Sequence, residues 1–105
     1  MRGIDFREVR ALISMADVLE LLGFQARESS GQQRRGPCLL HGSDESSRVF
    51  SVNLAKNAFQ CFKCGAVGNQ LDLWAAVTKQ SLYQAALDLC QRLNRDVPWL
   101  KTAQR

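Results

Sequence analysis

Two prolines, one histidine and one tyrosine are spread through 105 residues, and no apolar run approaches the length of a membrane span. The lack of such a run excludes a transmembrane helix. The start, Met1-Arg2-Gly3-Ile4-Asp5, leads into an amphipathic pattern and not the apolar stretch of a secretory leader. No segment is of low complexity. Paired catalytic carboxylates are missing too. Asp44 and Glu45 are adjacent acids in a loop, and nothing nearby supplies the cleft or partner group that acid–base work needs. With no export signal and cysteines expected to stay reduced, the reading is cytoplasmic. The length suits one domain, small enough for a metal staple to matter. The net charge of +4 is compatible with a polyanionic partner without demanding one.

What is present is concentrated in four residues: Cys38, His41, Cys61 and Cys64. They form two pairs, Cys-x2-His and Cys-x2-Cys, separated by residues 42–60. Thiolate and imidazole suit zinc, which takes four such ligands in a tetrahedron. A two-residue gap lets both side chains of a pair turn toward one ion. Gly42 and Gly65 follow the pairs and tolerate the positive φ of tight knuckles. Disulfides fit less well, because the fourth cysteine, Cys90, stands apart from the knuckles without a paired spacing. A Cys61–Cys64 redox pair lacks the upstream βαβ context in which such motifs sit. Four protein ligands also close the shell, so the expectation is one structural Zn²⁺ and not a catalytic one.

Periodicity places the remaining elements. Residues 4–13 predict a short helix. Ser14 with Asp17 predicts a cap for a second helix carrying Met15, Val18, Leu19 and Leu22, stopped at Gly23. Arg27 to Gly36 reads as a hairpin or loop, and Gly42 to Ser47 as a loop rich in serine and acid. Val49 to Val52 and Ala58 to Cys61 predict two strands around a turn at Asn53 to Asn57. Asn69 should cap a helix with Leu71, Trp74, Ala75 and Thr78 on one face. Ser81 with Gln84 should cap a last helix whose stripe is Leu82, Ala86, Leu89, Cys90 and Leu93. Cys90 is thereby a buried structural thiol. Pro98 and Trp99 end the pattern, and the last residues look frayed. The fold class is small α+β: a zinc-ribbon antiparallel sheet flanked by N- and C-terminal helices. Within the single domain 1–105, the leading helices take 1–23, the ribbon 25–68 and the closing helices 69–96.

The sequence resembles the zinc-binding domain of bacterial DnaG-type DNA primases and phage primase–helicases. The resemblance rests on Gly36-Pro37-Cys38-Leu39-Leu40-His41, Val49-Phe50-Ser51-Val52, Cys61-Phe62-Lys63-Cys64-Gly65 and Gly68-Asn69-Gln70-Leu71, and it covers nearly the whole chain. Leu39 and Arg48 stand where the family usually has proline, Lys63 where glycine is common, and the loop after His41 is about two residues longer. The resemblance implies a zinc-dependent module that binds single-stranded DNA template in primer initiation and is not catalytic alone. It implies as further partners a primase polymerase domain or a replicative helicase. The family's polymerase domain carries an Asp-x-Asp pair; this chain contains none. The alternative is a free-standing zinc-ribbon adaptor that docks a replication or mobile-element protein.

Strand binding needs cations for phosphates and flat groups for bases. Arg34, Arg35, Arg48, Lys56 and Lys63 are the candidate cations, with Arg35 and Lys56 matching positions often basic in the family. Among Phe50, Phe59 and Phe62, the last is expected to be exposed, because its neighbours Cys61 and Cys64 point at the metal. Trp74 is expected in the core. Arg2, Arg7, Arg10, Arg92, Arg95, Lys101 and Arg105, on terminal helices or tails, read as solvated charges.

Overall fold

Each helix begins at a residue whose side chain satisfies a backbone amide left over at the helix start. A computed structural model of the chain describes residues 3–42 and 47–100. Asp44, Glu45, the expected frayed tail and the cations Arg2, Lys101 and Arg105 lie outside those residues. Helix α1 spans Phe6–Leu12, with the Asp5 carboxylate accepting from Glu8 N at 3.2 Å. Helix α2 spans Met15–Leu22 behind a full capping box of Ser14 and Asp17, and ends at Gly23 with φ 69°. Strands β1 (Glu28–Ser30), β2 (Gln33–Gly36), β3 (Phe50–Asn53), β4 (Ala58–Cys61) and β5 (Val67–Asn69) follow, then α3 (Gln70–Thr78) and α4 (Leu82–Arg92).

The five strands form one antiparallel sheet in the order β1-β2-β3-β4-β5, so every strand pairs with its sequence neighbour. The register puts Gly36, Phe50 and Cys61 in one row, and Arg34, Val52, Phe59 and Gly68 in another. Alternation sends both rows toward the helices. Phe50 and Val52 are fully buried there and Phe59 nearly so. Phe50 stacks on Phe59 at 5.5 Å between ring centroids and meets Phe24 at 5.7 Å. Burying a ring such as Phe50 stabilises the fold by about 1.5–3 kcal/mol. Helix α3 packs on β4, β5, α2 and α4, which buries Leu71, Leu73, Trp74 and Ala75.

Several boundaries depart from the sequence reading. The first helix starts at Phe6 and not at residue 4, because Ile4 pairs with Trp99 in an antiparallel bridge. Asp5 N donates to Pro98 O at 2.7 Å, and Leu100 N to Gly3 O at 2.7 Å. Trp99 therefore closes the fold as well as ending a pattern. Residues 67–69, at the expected boundary between ribbon and closing helices, form a further strand, β5, and Asn69 serves as both strand end and cap. Leu82, expected on the buried stripe of the last helix, is the first residue of α4 and is 45% exposed, whereas Ala85, Ala86, Leu89 and Cys90 are buried. Thr78 is half-buried, its hydroxyl donating to Trp74 O at 2.6 Å.

Candidate metal centre and nucleic-acid interface

The two knuckles meet because β2 and β4 flank β3 and run in the same direction. Cys38 lies just beyond the end of β2, and Cys61 is the last residue of β4. Phe62 N donates to Val49 O at 2.8 Å and Cys61 N to Ala66 O at 2.8 Å, which fixes the second knuckle against the sheet. Gly42 and Gly65 have φ of 67° and 80°, so the left-handed turns expected after both pairs are present.

The thiol sulfurs of Cys38, Cys61 and Cys64 and an imidazole nitrogen of His41 all lie within 4.8 Å of one another. Sulfurs of a tetrahedral zinc site stand about 3.8 Å apart, from Zn–S bonds of about 2.3 Å. The donor set and its spread therefore fit zinc. Leu40 N donates to Cys38 Sγ at 3.3 Å, and Lys63 N and Cys64 N donate to Cys61 Sγ at 3.4 and 3.3 Å. Such bonds orient and stabilise thiolates. Burial pushes the Cys38 thiol up to about 11, outweighing the amides of Leu40 and His41. Burial also acts on Cys61. There the amides of Cys64 and Lys63, with bonds from the Cys64 and His41 side chains, prevail and bring it down to about 6. Cys38 and Cys61 are buried, whereas His41 and Cys64 form the exposed rim.

A family model described as the CHC2 zinc finger matches residues 4–105. The chain belongs to the CHC2 zinc-finger family. Similar proteins include the DNA primase of Synechocystis, 36% identical over 90 residues, covering 85% of this chain and 14% of that protein. The DNA primase of Helicobacter pylori is 32% identical over 84 residues, covering 79% of this chain and 15% of the relative. The crystal structure of the zinc-binding and RNA polymerase domains of Aquifex aeolicus primase superposes with a TM-score of 0.73 at 29% identity. That match covers 90% of this chain and 22% of the other. The chain thus spans about one seventh of the length of the curated relatives it matches. It is a primase-type zinc-binding domain, and its CHC2 ligand set holds one structural zinc ion.

The other sheet rows point away from the helices, and this open face adjoins the zinc knuckles. One row holds Glu28, Arg35, Ser51, Gln60 and Val67; the next holds Ser30, Gln33, Asn53, Ala58 and Asn69. Arg35 lies across Phe62, its guanidinium carbon 5.0 Å from the ring centroid, and donates to Arg48 O at 3.1 Å. Arg48 forms an ion pair with Glu28 at 3.3 Å. Lys63 sits beside Phe62 in the second knuckle and is exposed. Phe62 is 58% exposed, whereas Phe50 and Phe59 belong to the core.

Two sequence candidates are not gathered with this group. Lys56 lies in the β3–β4 turn, at the end of the sheet away from the knuckles. Arg34 alternates onto the helix-facing side and donates to Gly31 O and Gln33 O at 2.7 and 2.9 Å. It lines a partly open cavity with Leu19, Phe24 and Leu54. Sequence reasoning missed the acid Glu28 and the amide residues Gln33, Asn53 and Gln60. Period-two alternation along β2, β3 and β4 carries the signal that finds the amides. Among the described residues, no helix is long and apolar enough to cross a membrane.

Proposed function

We propose that this CHC2 domain binds single-stranded DNA template across the open face of its sheet and acts in primer initiation beside a polymerase domain. The observation that carries this reading is the grouping of Arg35, Arg48 and Phe62 at that face, with the exposed Lys63 beside Phe62 in the adjoining knuckle. Cations there would contact phosphates, and the Arg35–Phe62 pair offers a flat surface for a base. Lys56 would meet the strand only if it runs on toward the hairpin turn, and Arg34 acts on the fold from behind. The domain is not catalytic alone in this reading. Bound zinc would have all four positions filled by protein, leaving none for an activated water, and the chain has no Asp-x-Asp.

The test is fluorescence anisotropy of labelled single strands with the zinc-loaded chain over a range of salt. Binding should weaken steeply as salt rises. Reversing charge at Arg48→Glu together with Lys63→Glu should weaken it by about tenfold or more, with zinc content and circular dichroism unchanged. A folded, zinc-loaded double variant that binds undiminished would remove this surface from the site. Absence of any affinity at moderate salt would favour the adaptor.

A further inference from the structure

The open face carries one acid. Of the residues in its two outward rows, Glu28 alone is negatively charged. It stands directly across from Arg35 in the register. Its Oε1 lies 3.3 Å from Arg48 Nε. An acid is out of place beside arginines offered to a polyanion, because it repels the phosphates that they attract. The pair adds little to stability either. The Arg48 and Glu28 side chains are 56% and 54% exposed, and ion pairs so open to water contribute little.

The neighbours of the pair are the groups that would meet a strand. Arg35 lies over the Phe62 ring, and its Nε donates to the backbone oxygen of Arg48, the residue whose side chain meets Glu28. A carboxylate presents to a guanidinium charged acceptor oxygens of the kind that a phosphate presents. At Arg48, Glu28 therefore stands where a strand phosphate would. Both partners face water and β1 is a three-residue border strand, so one anion can replace the other without disturbing the core.

We infer that Glu28 is the built-in anion of a phosphate subsite formed by Arg48 and Arg35: its carboxylate pairs with Arg48 while the face is bare and gives way to one phosphate of an arriving strand. The inference rests on the single-strand reading above and adds a residue that sets how tightly the strand is held. Glu28 competes with the strand for Arg48, so it lowers affinity and favours release.

The experiment measures affinity of the zinc-loaded 105-residue chain for a labelled oligothymidine by fluorescence anisotropy at low salt. Glu28→Gln keeps the length of the side chain and removes its charge. Binding should tighten about threefold, and the gain should fade as salt screens the face. Glu8→Gln removes the same charge from an exposed position on α1 and should leave affinity nearly unchanged. With Arg48→Gln already in place, Glu28→Gln should gain far less, because the cation for which the two anions compete is gone. Circular dichroism and zinc content check that each variant folds. Weaker binding by Glu28→Gln, a gain no larger than that of Glu8→Gln, or the same gain with and without Arg48 would overturn the role of Glu28 and leave the single-strand reading standing. No binding of the oligonucleotide by any of these proteins would sink both.

Discussion

Cys38 and Cys61 differ before metal is bound: burial pushes the Cys38 thiol up to about 11, while the amides around Cys61 bring it down to about 6. Zinc takes both as thiolates, so its binding must displace the proton from Cys38. The pairs were legible in the sequence because a knuckle is local: its spacing is its geometry. Cys90 was legible for a different reason, since the stripe of α4 points it inward, and it is fully buried. Burial raises its thiol above the ordinary 9.0. The folded state therefore holds the Cys90 proton more tightly than the unfolded state. This contribution to stability is complete below pH 9 and is lost as pH rises through the higher folded value. Urea unfolding of the zinc-loaded protein at about pH 7 and about pH 10 should show a larger alkaline loss for the natural chain than for Cys90→Ala. Equal losses would mean that Cys90 does not titrate on unfolding. Gln70 could not be read at all. Its amide donates to Arg10 O and Ile13 O at 3.0 and 2.8 Å, tying the start of α3 to the end of α1. Partners that remote leave no mark on local periodicity.

Elements, like residues, were legible where their signals are local. Capping residues announced α2, α3 and α4, and the Phe50 and Phe59 strands showed their pattern. The three-residue β5 is too short for alternation to register, and the Ile4–Trp99 bridge joins the two ends of the described chain. One junction between elements carries a prediction. Asn57 in the β3–β4 turn has φ 52°, and its Oδ1 accepts from Met15 N at 2.7 Å, at the first residue of α2. One side chain thus serves the turn and the helix start together. Asn57→Gly keeps the turn but leaves the helix amide without this partner, at a cost of about 1 kcal/mol. Asn57→Ala loses the partner and also strains the left-handed turn, adding about 1 kcal/mol. Chemical denaturation with zinc present should rank natural above Gly above Ala. If the Gly variant were as stable as the natural protein, the contact with Met15 would carry no weight.

At the scale of the molecule, the metal ties the end of β2 to the end of β4 across β3. Removing zinc with excess chelator should lower the thermal midpoint by on the order of 20 °C. The ellipticity should return when zinc is restored. A chelated, zinc-free protein that melts where the loaded one does would show that the core stands without its staple. The fold class was legible because ribbon and helices follow one another along the chain. The division of the sheet into two faces was legible only in part. Arg34 and Arg35 are neighbours in sequence, yet the register sends them to opposite sides.

The strictly sequential order of strands has one more result. The outermost strands, β1 and β5, are the shortest, with three residues each, and β1 ends its pairing with Glu28 beside Arg35. A border of three residues offers few free backbone groups, and on β1 the charge of Glu28 adds to this, so both margins are poor templates for a strand from another molecule. The strand order that bares the face thus also keeps the sheet's margins short.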